Sequence, residues 1–188
     1  MSMRLLSAAL VVFVVPGVAL AQAKKTVEEH PYAKAKVGDW VTYTVTTNAM
    51  GTKSEMTTTI RIAAKDDKSV TIKTSGRTSF MGMTTELPET ESKIDLTQPY
   101  NATPTPPSKD VKVEKVGEGK EKVKVGDKEY DTTWTKNKVT TKLMGKDIVT
   151  ESTVWAAKDV PLGMVKMETK FEGGSSTMEL TASGTGKK

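Results

Sequence analysis

Val165, Met167, Thr169 and Phe171 fall on one side of an extended backbone, and Met164, Lys166, Glu168 and Lys170 fall on the other. A period of two sets one face on a core and the other in water, so this stretch predicts a half-buried β-strand. It follows Val160-Pro161-Leu162-Gly163, where proline presets φ for the second position of a tight turn and Gly163 can take a positive φ. Gly173-Gly174 reverses the chain again, and Met178, Leu180 and Ala182 resume the alternation. Residues 153–180 therefore predict a three-stranded meander, entered by a strand ending in Val154-Trp155.

The rest of the chain carries the same rhythm. After the turn signal Val37-Gly38-Asp39, Val41, Tyr43 and Val45 share one face while Trp40, Thr42 and Thr44 share the other. Met56, Thr58, Ile60 and Ile62 are in step on the next segment, and Val70, Ile72 and Thr74 on the one after it. Asp66-Asp67-Lys68 between them fits turn chemistry; a calcium loop would need further oxygen ligands at fixed spacing. Gly76 to Leu87 predicts a bent or bulged strand around Gly82. Glu86, Glu89, Glu91 and Asp95 surround Pro88 in a polar extended segment, which suits edge protection more readily than a glycosidase carboxylate pair. Pro99, Pro104, Pro106 and Pro107 make 99–108 a rigid connector or, alternatively, a recognition segment. Beyond it, Val111 and Val113 lead to a loop at Gly117 and Gly119. Val123 and Val125 approach a hairpin at Gly126-Asp127, and Tyr130, Thr132 and Trp134 share a face of the returning strand. Lys136-Asn137-Lys138 reads as a turn before a short strand, 139–143.

Threonine is the commonest residue, β-branched positions dominate, and no helical period appears after the first 23 residues. The expected fold is all-β with at most minor α: a curved antiparallel meander of about ten strands, forming a half-barrel or barrel. One β domain is expected over 37–184, with a flexible leader or short cap over 24–36 and a disordered tail over 185–188.

Composition adds an address. Arg4, the eleven-residue apolar stretch Leu5 to Val15 and the small-residue site Ala21-Gln22-Ala23 have the order of a secretory signal peptide cleaved after Ala23. The apolar run is short of the ~20 residues that span a bilayer, and Pro16-Gly17 interrupts it. With no Cys after it, no lipid anchor is expected, and the mature chain should carry no transmembrane segment. A periplasmic or secreted location follows. The mature chain would keep 27 of the 28 basic residues against 23 acids, a net charge of +4, without the basic stripe of a nucleic-acid binder. The absence of cysteine removes disulfides and thiol chemistry. A single histidine, His30 before Pro31, leaves no zinc set and no Ser-His-Asp triad unless it serves alone, so no enzyme activity and no cofactor are expected.

What remains is soft and apolar. Eight methionines follow residue 23, and thioether side chains adapt to irregular or greasy ligands, although plain core filling is the simpler use. Val154-Trp155, Val160-Pro161-Leu162-Gly163 and Val165-Lys166 resemble bacterial secreted proteins whose sheets are similar to the LolA/LolB/LppX group of lipoprotein carriers; the likeness lies mainly in 121–183. The resemblance implies a curved antiparallel sheet that holds lipid on its concave side, usually beneath helices. Strand parity nominates Tyr43, Met56, Ile60, Trp134, Met167 and Phe171 as contacts of a lipid or other amphipathic ligand. A structural or protein-interaction module with a filled core is the second reading, and a carboxylate-dependent hydrolase the third.

Overall fold

A computed structural model describes residues 30–97, 111–143 and 146–186. Nine strands form one antiparallel sheet: β1 Asp39–Ala49, β2 Thr52–Lys65, β3 Ser69–Phe80, β4 Met83–Asp95, β5 Val111–Val125, β6 Lys128–Leu143, β7 Lys146–Ala156, β8 Met164–Phe171 and β9 Gly174–Thr185. Their order is β4-β3-β2-β1-β9-β8-β7-β6-β5, so the first and last strands of the meanders meet at the centre, β1 against β9. The edges β4 and β5 do not pair with each other, and the sheet stays open. It is nonetheless curled. The β5–β6 hairpin runs past the end of β7, whose last partner is Thr133, and β5 approaches β8 and β9. Val123 and Tyr130 on that overhang are buried in the same cluster as Val41, Tyr43, Val165 and Leu180. The expected signal peptide and the Pro-rich connector 99–108 lie outside the described residues.

The alternation that predicts β8 is the alternation observed. Val165 is 0% exposed, Met167 5% and Thr169 3%, while Lys170 stands in solvent. Burying apolar side chains such as Val165 and Met167 contributes roughly 1.5–3 kcal/mol each, and the central strands carry most of it. A second cluster caps the sheet at Ile62 and Val70, under Tyr32 and Ala35 of the segment before β1. Residues 30–36 are fixed there. Lys65 donates through Nζ to the carbonyls of Ala33 and Ala35, and Gly38 N donates to Ile62 O at 2.9 Å. At the other end, Thr185 belongs to β9, and Gly186 N donates to Gly38 O at 2.8 Å. The sheet thus takes in Thr185, the first residue of the expected disordered tail.

Three local expectations are corrected. Gly76 to Leu87 is a hairpin rather than one bent strand: Met81-Gly82 turns the chain between β3 and β4, and the irregularity sits earlier, between Thr74 and Gly76. Met81 (φ 49°) and Gly82 (φ 79°) both take the left-handed conformation that such two-residue turns require, as do Met50 and Gly51 between β1 and β2. Methionine gave no turn signal. Gly117 and Gly119, expected in a loop, lie within β5. Each faces the Trp134 ring, and a Cβ on Gly119 would come within 2.7 Å of Trp134 Nε1. The ring takes the space the glycines leave, as Trp40 does over Gly184 and Phe171 over Gly174, its direct cross-strand partners. Lys136-Asn137-Lys138, expected as a turn, is the middle of β6, paired on one side to β5 and on the other to β7.

Candidate ligand-binding face

Directly opposed residues of antiparallel strands point to the same side of a sheet. Register therefore sorts the nominated residues. Val45 pairs with both Met56 and Met178, Met178 with Met167, and Met167 with Val154. These form a soft apolar row across five strands, β2-β1-β9-β8-β7. Tyr43 and Ile60 stand beside it; Tyr43 is 3% exposed and its hydroxyl donates to Met164 O at 3.2 Å. Phe171 shares the parity of Met167 but lies four residues along β8, over Gly174. Tyr43, Met56, Ile60 and Met167 are thus brought together, with Phe171 at the rim.

Trp134 is not among them. It pairs with Trp155, which pairs with Lys166, on the opposite side from Met167. That side carries a polar group of its own. Lys166 Nζ lies 5.5 Å from the Trp155 ring, and Trp155 Nε1 donates to Glu121. The Glu168 carboxylate, 2.9 Å from Lys166 Nζ, holds the ammonium above its ordinary pKa against partial burial, with Glu179 adding to the effect.

Next to the apolar row runs a polar one that strand parity alone did not nominate. Asn137, Ser152, Thr169, Ser176 and Thr47 are successive partners across β6, β7, β8, β9 and β1. In β7, β8, β9 and β1 each stands two residues from the apolar row, at Val154, Met167, Met178 and Val45 in turn, while in β6 the partner of Val154 is Thr135, two residues before Asn137. Thr47 Oγ1 donates to Ser176 Oγ at 3.1 Å. At the other end, Asn137 is 1% exposed, and neither its amide nitrogen nor its oxygen has a hydrogen-bond partner; the Thr169 hydroxyl, 3% exposed, has none either. In β7, β8, β9 and β1 a polar residue on an apolar parity was a visible signal, but only register aligns these four with Asn137.

Two recesses elsewhere on the described surface are lined mainly by charged and hydroxyl-bearing residues. One, of about 730 Å³, is lined by Asp66, Asp67, Lys68, Ser69, Lys93, Asp95 and Thr97. Asp66 accepts hydrogen bonds from the amides of Lys68 and Ser69 and from the Ser69 hydroxyl; these lower its pKa, the Lys68 amide most. Thr97 does the same for Asp95 through its hydroxyl and amide. The Asp66-Asp67 turn is thus held by its own side-chain bonds. The second recess, about 290 Å³, lies among Trp40, Thr59, Arg61, Lys73, Ser75 and Glu89. Along edge strand β4, Glu89 and Glu91 both reach Lys73, at 3.0 and 4.0 Å. His30 is buried to 9% exposure with its ring 5.5 Å from that of Tyr32. Among the described residues no group of three or more His, Cys, Asp or Glu side chains is placed to hold a metal ion, and no helix is long and apolar enough to cross a membrane.

No protein-family model and no curated protein sequence matches the chain. Solved structures do. A protein from Parabacteroides distasonis described as a lipoprotein matches with a TM-score of 0.50 at 9% identity, over 80% of this chain and 96% of that one. An exported protein of YmcC-like fold from Bacteroides fragilis matches at 0.45 and 11%, over 80% and 97%. The lipoprotein LppX of Mycobacterium tuberculosis, from the group the sequence resembles, matches at 0.34 and 12%, over 76% and 84%. At these identities the likeness is one of fold.

Proposed function

We infer that this chain is an exported, non-enzymatic β-sheet module that holds an apolar or amphipathic ligand, of lipid kind, on the buried face of its curled sheet. The observation that carries the reading is the row Met56, Val45, Met178, Met167 and Val154, laid across an open sheet beside a polar row on the same face. Thioethers repack around irregular chains at small cost, so such a face can admit a ligand without a rigid preformed hole. The signal-peptide pattern expected over residues 1–23 supports a periplasmic or secreted site of action, and the Parabacteroides fold relative, described as a lipoprotein, agrees with an envelope setting. Tyr43, Ile60 and Phe171 would flank the acyl portion. Trp134, on the other side, would not touch it.

A second reading has an observation in its favour. Val41 and Val165 are 0% exposed and Leu180 2%, the values of a filled core, which suits a structural or protein-interaction module. Native mass spectrometry of the protein purified from its own cell envelope separates the two. A discrete co-purifying mass, released at raised collision energy and extracted as lipid, is the expected result. Bare protein at every collision energy would leave the filled-core module as the better reading.

A further inference from the structure

We propose that Asn137 and Thr169 are the polar anchor of this face and meet the ester-and-hydroxyl junction of an acylglycerol-type ligand whose chain lies along the methionine row. The inference rests on the lipid-binding reading above and names the chemistry of the same site. A buried donor or acceptor without a partner loses its water and gains nothing in return, which is why nearly all such groups are paired. Here three atoms in one cross-strand row, on the two strands that flank β7, are unpaired: Asn137 Nδ2, Asn137 Oδ1 and Thr169 Oγ1, on side chains 1% and 3% exposed. Ser152 lies between them in register. The amide offers a donor and an acceptor at once, and the hydroxyl either. A ligand group that complements them needs a carbonyl to accept from Nδ2 and a hydroxyl to donate to Oδ1. An alkane has neither, and a free carboxylate brings a charge to a face where no cation is in the row. The ester and free hydroxyls of an acylglycerol supply both without charge. Register sets the apolar row two residues along each strand, so a chain leaving that junction passes directly onto Val154, Met167 and Met178.

The test uses the mature chain and two probes: monoolein below its aggregation concentration, and the apolar fluorophore N-phenyl-1-naphthylamine. Asn137→Leu and, separately, Thr169→Val remove the polar atoms at nearly constant volume. Each variant should raise the Kd for monoolein at least tenfold and leave that for the fluorophore within twofold. Asn137→Leu should also unfold at the same temperature as the parent or higher, because it deletes unpaired buried groups. Unchanged monoolein affinity in both variants overturns the anchor while leaving the lipid-binding reading intact. Equal loss of both probes overturns it too, since the side chains would then only support the face. If neither probe binds the parent chain, the proposed function itself fails and the anchor falls with it.

Discussion

Gly76→Ala inverts the effect that local propensity predicts. Gly76 lies inside β3, opposite Thr58, and its φ is outside the left-handed region. On backbone entropy alone, alanine in a strand should gain roughly 0.5–1 kcal/mol. The sheet forbids it. A Cβ built there lies 2.3 Å from the Thr57 carbonyl oxygen and 3.2 Å from Thr58 Cα, where ordinary contact begins at 3.4 Å. Both neighbours are backbone, so β2 itself must retreat by about 1 Å. Overpacking of this kind costs about 1–3 kcal/mol, and each ladder hydrogen bond it disturbs about 1 kcal/mol more. A net loss of roughly 2–4 kcal/mol lowers the midpoint of a chain this size by roughly 5–15 °C. Thermal unfolding followed by far-ultraviolet circular dichroism reads this directly. Gly82→Asn is the control: open space surrounds its Cβ, and asparagine tolerates φ 79°. A Gly76→Ala midpoint equal to or above the parent would refute the close β2–β3 approach and the irregularity at Thr74.

Met81→Asn should stabilise the chain by about 1 kcal/mol, because asparagine accepts the left-handed φ of a two-residue hairpin turn far more readily than methionine; chemical denaturation checks it, and Met81, 73% exposed, gives up little packing. Burial lowers the pKa of His30 below its ordinary value near 6.5. A depressed folded pKa means the unfolded chain binds the proton first, so the contribution of the cap is intact above about pH 6.5 and is lost as pH falls through the folded value. The protection factor of the Gly38 amide, bonded to Ile62, taken after correction for the pH dependence of intrinsic exchange, should therefore fall below about pH 6.5 more than that at the centre of β9, and His30→Gln should remove the difference. An equal loss of protection at both places would contradict it.

The parts of the fold that could be read in advance are those with two unlike faces. β1, β8 and β9 sit at the centre of the sheet, so Val41, Tyr43 and Val45, Val165 and Met167, and Met178 and Leu180 recur at every second position and are buried there. β4 is exposed along nearly its whole length, and β5 carries charges on both sides, so neither has an apolar period to find. Gly117 and Gly119 looked like a loop because glycine disfavours strands; the Trp134 ring that compensates arrives from β6 and is invisible locally. Asn137 looked like a turn because lysines flank it, whereas β5 and β7 hold it mid-strand. Parity within one strand assigns two faces without saying which matches which face of the next. That missing sign placed Trp134 with Met167, and pairing through Trp155 to Lys166 reverses it.

Single cysteines along β8 test the shielded face most directly, since the chain has no thiol of its own. Cysteine placed in turn at positions 165 to 170 and exposed to a water-soluble maleimide should label slowly at 165, 167 and 169 and quickly at 166, 168 and 170. Uniform rates, or the opposite alternation, would mean that Met167 and Thr169 do not face the interior of a curled sheet, and no ligand could lie where one is proposed.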